Sequence, residues 1–458
     1  MKLLVSFSKI LRNVALLIML IVVLVLIINW SIFDETLSPE VEALIASTPS
    51  IHQDLSEQSK NSYFAILGIK AADNKDILET GIQLIAQYRI NRDEKGLDAL
   101  TSADLNAIMG QGGLDKAWQT IYPKCNSRTQ PGCFATLVTH INNAPIRDPR
   151  LLTMLKRYDQ IIRMPIYRDI PDPSVGAPIP SFNELLWLGQ IKLAQLFAKE
   201  SMQPLLQHVQ TDINYWRMVL SNSQMLITKM VAVAALRNDL HYLSASLNEK
   251  VLLDEDIRTI SALLQSLTLA EKNIAESFQY EHRAMHQYFH NYQSHNLSYA
   301  FGQANYPVKW MIQKNATSNA FYRYSTQPMV KLSQLDAAAF ARELDAGNGS
   351  VKCCITKIAD MIGYSPSSIY NLGGKILLRS TIGKTEDYIA RIHDLDGMLA
   401  LIRLQLEIKQ RSPADIQSLV ENSLHTNPYT AKPMNFDAES NKLNFQCYDP
   451  HALCEVSL

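Results

Sequence analysis

Fifteen consecutive apolar residues run from Val14 to Ile28, and apolar character continues through Trp30 to Phe33 before the acidic pair Asp34 and Glu35. A helix rises about 1.5 Å per residue, so roughly 20 such residues cross a hydrocarbon core of about 30 Å. The pattern predicts one transmembrane helix over residues 13–33, in contact with the lipid bilayer over 14–33 and preceded by a tail of residues 1–12.

The remaining apolar positions predict helices of two kinds. Over residues 39–145 they are short: Ser38-Pro39-Glu40 opens one with a cap and a proline at its first position, 77–88 and 102–109 form others, and 138–143 belongs to a further one. Residues 165–180 hold Pro165, Pro171, Pro173, Pro178 and Pro180, which forbids a continuous helix and predicts an extended linker or a strap over the surface. After Ser181, a cap candidate, residues 184–200, 205–220, 223–247 and 254–292 are long apolar-periodic segments separated by short breaks. Short breaks favour up-and-down neighbours, so an antiparallel bundle is expected. In the last of these segments Leu267, Ile274, Phe278, Met285, Phe289 and Tyr292 fall on one stripe.

An irregular aromatic segment then reaches Tyr324, followed by helices near 335–344, 351–362 and 385–409 and a short one capped by residues 412–415. Residues 433–436, 442–447 and 455–458 read as short strands. The expected architecture is therefore mainly α: a single N-terminal transmembrane helix, a helical-bundle body and a small β hairpin or flap at the C-terminus. Its regions are an N-terminal helical part (34–164), a Pro-rich linker (165–181), the long-helix bundle (182–295), a C-terminal helical part (296–430) and the flap (431–458).

Charge orients the span. Lys2, Lys9 and Arg12 precede it and Asp34, Glu35 and Glu40 follow it, so the positive-inside bias leaves the N-terminus in the cytoplasm and exports the body. A cleavable signal peptide needs small residues at its cleavage site, and residues 29–33 (NWSIF) offer none, while Trp30 suits an interfacial anchor. An uncleaved signal-anchor is the expectation. Across the chain 43 basic residues nearly balance 44 acidic ones, so no nucleic-acid partner is implied.

Six cysteines agree with an oxidising compartment. Cys125 and Cys133 flank a turn-rich loop and Cys447 and Cys454 flank another, so two local disulfides are the economical pairing. Adjacent Cys353 and Cys354 would be strained if bridged to each other, which leaves them reduced or paired elsewhere. Thiolate zinc spacing is absent.

Candidate chemistry is sparse. His282 and His286 stand one turn apart on a helix, with His290 and His295 beyond, and two imidazoles so placed can chelate one metal. The run H-R-A-M-H lacks the glutamate of the zincin motif, so surface or core-edge histidines are the plainer reading and no cofactor is expected. Where the bundle stripe turns polar, Arg237 and Glu281 are expected to face each other as a buried ion pair, with Asp239 or Lys229 nearby. A carboxylate there with a raised pKa would be the catalytic alternative, with Glu281, Arg237 and Asp239 as its residues. Gly383-Lys384-Thr385 lacks the first glycine of a phosphate loop, and residues 363–367 (GYSPS) do not form a nucleophile elbow.

Residues 61–68 (NSYFAILG), 229–239 (KMVAVAALRND), 313–319 (QKNATSN) and 428–434 (PYTAKPM) together resemble an uncharacterised family of signal-anchored proteobacterial proteins. The resemblance implies a Gram-negative inner membrane and a periplasmic body and carries no activity. The expected role is that of a membrane-anchored structural or partner-binding component of the envelope, with an envelope protein as partner. A tethered hydrolase with its site in the central bundle is the alternative, and a metal-binding module using His282 and His286 is the third reading.

Overall fold

The computed structural model describes residues 2–29, 34–47, 59–95, 99–110, 116–126, 130, 132–170, 174, 176–199, 201–290, 312–346, 370–381, 385–411 and 415–458. Helix α1 (Lys2–Ile28) contains the apolar stretch Ile10–Ile28, with a mean hydropathy of 3.0 and none of it buried against the rest of the chain. It is long and apolar enough to cross a membrane. Seven shorter helices follow among the described residues: α2 (Pro39–Ala46), α3 (Ser62–Leu67), α4 (Ile77–Lys95), α5 (Ser102–Met109), α6 (Lys116–Ile121), α7 (Cys133–Asn143) and α8 (Pro149–Ile161). Ser38 caps α2 by accepting from the Val41 N–H, with Pro39 in the first turn as expected. Asp148 and Pro149 repeat that device at α8.

The bundle is built on α9 (Phe182–Phe197), α10 (Met202–Asn222) and α11 (Leu226–Glu249). Their short connections alternate their directions, as expected. Later come α12 (Asp254–Leu263), α13 (Leu269–Lys272), α14 (Ala275–His290), α15 (Lys314–Phe321), a π-helical turn (Tyr322–Thr326), α16 (Gln327–Ser333), α17 (Ala337–Asp345), α18 (Leu372–Thr381), α19 (Glu386–Arg411) and α20 (Ile416–Glu421). Helix α19 lies along α11 in the same direction. Leu395 and Leu399 meet Leu236 and Leu240, and further along Ser244 donates to Gln405 at 2.8 Å. The long intervening chain frees α19 from the constraint that a short turn imposes. Helix α11 is buried on nearly every side, so its polar residues must find partners within the protein.

The single helix expected over 254–292 is three. The chain leaves helical geometry after Leu263, and a capping box restarts it: the Glu271 N–H donates to Thr268 Oγ1 (3.3 Å) and the Thr268 N–H to Glu271 Oε2 (2.6 Å). Carbonyls freed at the break are taken by arginines, Gln265 and Ser266 by Arg217 and Leu264 by Arg403. The expected stripe is accordingly divided. Leu267, Ile274 and Phe278 enter the main core, whereas Phe289 packs with Ala320, Phe321, Leu377 and Leu378 in a second cluster. Tyr292, the segment 351–362, His295, and Cys353 and Cys354 lie outside the described residues.

The proline-rich segment is a strap sewn into the body. Asn61, the N-cap of α3, donates to the Arg168 carbonyl (2.8 Å) and accepts from its N–H (3.0 Å), and Tyr63 donates to the Pro178 carbonyl (2.8 Å). The strap in turn supplies a cap. Met225 at the N-cap of α11 has no side-chain oxygen, and Asp169 takes its place, accepting from the N–H groups of Gln224 (2.6 Å) and Met225 (3.0 Å). Strands β1 (Asn435–Asp437), β2 (Lys442–Asn444) and β3 (Glu455–Ser457) form an antiparallel sheet in that order, with Phe436, Leu443 and Val456 in register. Leu443 and Val456 are buried, and β3 packs on both α11 and α19. Cys447 and Cys454 stand at disulfide distance (Cα–Cα 5.8 Å), as do Cys125 and Cys133 (5.4 Å). One hydrophobic cluster extends from Tyr63 to Val456, so the helical regions and the flap share a core.

Candidate functional site

Helices α8 to α11 bring two carboxyl groups together in the buried centre of the bundle. Asp212 of α10 and Asp239 of α11 are each 1% exposed and line the same small cavity. Tyr158 of α8 donates to the Asp212 carboxylate, with both oxygens 2.7 Å away. Its hydroxyl fits only because residue 189 of α9 is glycine: a Cβ there would sit 2.6 Å from the Tyr158 oxygen. Neither oxygen of Asp239 meets a donor among the described residues. Beside the pair, Tyr158, Gly189, Gln190, Asp212, Asn238 and Asp239 line a cavity of about 10 Å³, room for about one water molecule.

A line of titratable groups runs from this centre to the surface. His208 lies 3.8 Å from Asp212 through Nε2 and 3.8 Å from Asp159 through Nδ1, and Asp159 pairs with Lys192 at 2.6 Å near the rim. Burial raises the pKa values of Asp212 and Asp239, and each carboxyl's proximity to the other raises Asp239 further. Burial also lowers His208 to about 4, against the attraction of Asp159. A buried carboxylate without a cation is costly, and a proton on one member of the pair removes that cost.

The comparisons add no relative. No protein family, curated protein or solved structure matches the chain.

The expected ion pair between Arg237 and Glu281 does not form. Glu281 meets the Leu226 N–H at the start of α11, whereas Arg237, eleven residues on, donates to the Leu453 carbonyl beside β3. Eleven residues of helix separate the two by about 16 Å. Asp239 faces Asp212 instead, and Lys229 donates to the Leu220 carbonyl at 2.6 Å, serving the C-terminal end of α10. Glu281 has its pKa raised by burial. Asp212, Tyr158 and His208 escaped sequence reasoning. Their one legible signal was a pair of polar residues at 208 and 212, one turn apart, on an otherwise apolar helix face.

The histidine row is occupied by hydroxyl and amide partners. His282 Nδ1 lies 3.1 Å from Thr326 Oγ1 and its Nε2 3.4 Å from Ser318 Oγ, while His286 Nδ1 lies 2.9 Å from the same serine. His290 Nε2 meets Asn315 Oδ1 at 3.2 Å. Burial lowers His282 to about 3 and His286 to about 4, with neighbouring histidines adding to the effect. Among the described residues the one cluster of three potential metal-ligating residues is Asp394, Cys447 and Cys454, whose sulfurs are joined to each other.

The row holds α14 to α15, and α15 holds the segment that follows α1. Gln313 at the N-cap of α15 makes no side-chain cap bond, and Asp34 replaces it, accepting from the N–H groups of Asn315 (2.9 Å) and Ala316 (3.0 Å). Asn319 completes a clamp: it accepts from the Ser38 N–H (2.9 Å) and donates to the Thr36 carbonyl (2.9 Å) and Glu35 carboxylate (3.1 Å). Asn29, one residue past α1, accepts from the Leu372 N–H that opens α18 (3.3 Å).

Proposed function

We propose that this chain is a single-pass protein of a bacterial inner membrane, N-terminus in the cytoplasm, whose periplasmic helical body is a structural or partner-binding component of the envelope. The observation that carries this reading is the clamp between residues 34–38 and α15, because a body fixed to its anchor presents a defined face at a defined height. The charge step across the span and the two cysteine pairs support export. Helix α11, with 24 residues, leads roughly 36 Å from the α14 side to the other end of the bundle. There Val251 and Leu253 are 88% and 60% exposed. Beside them lies an open groove of about 480 Å³ that Leu252, Ile257 and Lys409 help to line, which suits a protein partner. A hydrolase site at the carboxyl pair is not supported by its size, because the space there admits about one water.

Two experiments test this. Alkaline phosphatase fused after Lys60 is active if the body is exported, and a fluorescent green fluorescent protein fusion without phosphatase activity refutes the orientation. A photo-crosslinking residue at Val251 in the membrane-bound protein captures a defined envelope protein. Loss of that adduct in the Leu253→Asp variant supports the groove, and an adduct spectrum unchanged by Leu253→Asp refutes it.

A further inference from the structure

We propose that Asp212 and Asp239 form a buried binding site for a single proton, shared between the two carboxyls, which joins α10 to α11 at neutral pH. The geometry requires a donor at this point. Asp239 is 1% exposed and both its oxygens lack a donor, while Tyr158 already serves Asp212. A proton on one carboxyl turns two repelling groups into a hydrogen-bonded pair carrying one negative charge. The adjoining space of about 10 Å³ holds one water at most, which leaves no room for a hydrated cation.

The groups that face the pair come from every neighbouring helix. Tyr158 and Asp159 belong to α8, Lys192 to α9, and His208 and Tyr215 to α10; Arg163, just past α8, acts on His208. No arginine or lysine touches either carboxyl among the described residues. His208, between Asp212 and Asp159, is the route along which the proton exchanges with solvent: it accepts a proton on one ring nitrogen and releases one from the other.

The sign of the pH effect follows. The folded pair keeps its proton to a higher pH than a free carboxyl does. Once pH exceeds the ordinary carboxyl range, the unfolded chain has lost that proton and the folded one has not. Stability contributed by the pair therefore falls as pH rises, by about tenfold in the folding constant per pH unit for one proton, until the folded pair ionises.

The test uses the full chain in detergent. Wild type is compared with Asp239→Asn and Asp212→Asn, in which an amide supplies the donor permanently. The expected result is that the folding constant of wild type, relative to either variant, falls with rising pH with a slope of about one proton. Infrared difference spectra should also show a protonated-carboxyl band at neutral pH in wild type that either variant lacks. The proposal is overturned by parallel pH profiles or by a band that survives both substitutions. It is equally overturned if exchanging sodium for a bulky organic cation shifts the melting of wild type and not of the variants, since a metal ion would then hold the site. If one variant fails to fold, the other and its difference spectrum decide.

Discussion

The clamp makes a quantitative prediction through Asp34→Ala. Asp34 satisfies two otherwise open N–H groups in the first turn of α15, those of Asn315 and Ala316. Loss of such a cap costs about 0.5–2 kcal/mol, and partial exposure of Asp34 places this site toward the middle of that range. About 1 kcal/mol is roughly a fivefold change in an opening equilibrium. Amide hydrogen exchange on the detergent-solubilised chain reads this directly. Protection at Asn315 and Ala316 should drop about fivefold, and that at the Ser38 amide should follow, because Asn319 on the same helix holds it. Amides in the centre of α11, such as Leu240, should not change. Adding Asn319→Ala removes three further hydrogen bonds and should deepen the loss. If protection at Asn315 and Ala316 is unchanged in Asp34→Ala, the segment after α1 is not held as described. If protection falls equally throughout the body, the clamp supports the whole fold and not the anchor junction.

Other outcomes follow from the same geometry. Gly189→Ala brings a methyl to 2.6 Å from the Tyr158 hydroxyl; a destabilisation of about 1–3 kcal/mol is expected in thermal melting, and an unchanged midpoint would mean that Tyr158 has another place to go. His282 is held near 3 against an ordinary 6.5, so the unfolded chain takes up a proton first as pH falls below that value and stability is lost on the acid side. At about pH 5 the single histidine accounts for about 2 kcal/mol, and a His282→Gln variant that loses stability with acid as steeply as wild type would contradict this. Cys447 and Cys454 are seven residues apart in sequence; removing their link with serines should cost about 2.5 kcal/mol by loop-closure entropy, and equal melting with and without reductant would show that the bond does not form in solution.

Much of the fold was legible because it is local. The bundle helices follow apolar periodicity, and Ser38-Pro39 and Asp415 mark helix starts that the structure keeps. The cysteine pairs close short loops. Asp148-Pro149 carries the same start signal as Ser38-Pro39 and identifies α8 just as well. The break between α12 and α14 was harder: Thr268 and Glu271 form a capping box, but apolar spacing that happened to continue across the gap masked it. The candidate site was the least legible. From the sequence Arg237 is set against Glu281 with Asp239 nearby, and only the offset between α11 and α14 removes Glu281 from reach.

By itself the sequence determined a mainly helical protein with one span-length apolar helix, a proline-rich strap and a C-terminal flap, because each of these depends on neighbours within a few residues. Only the tertiary structure decided which polar residues meet: Asp212 with Asp239 across α10 and α11, Asp169 at the start of α11, and Asp34 at the start of α15. Periodicity tells which face of a helix is inward. It does not fix the axial offset or the rotation of one helix against another, and a shift of one turn, about 5.4 Å, is enough to exchange one hydrogen-bond partner for another.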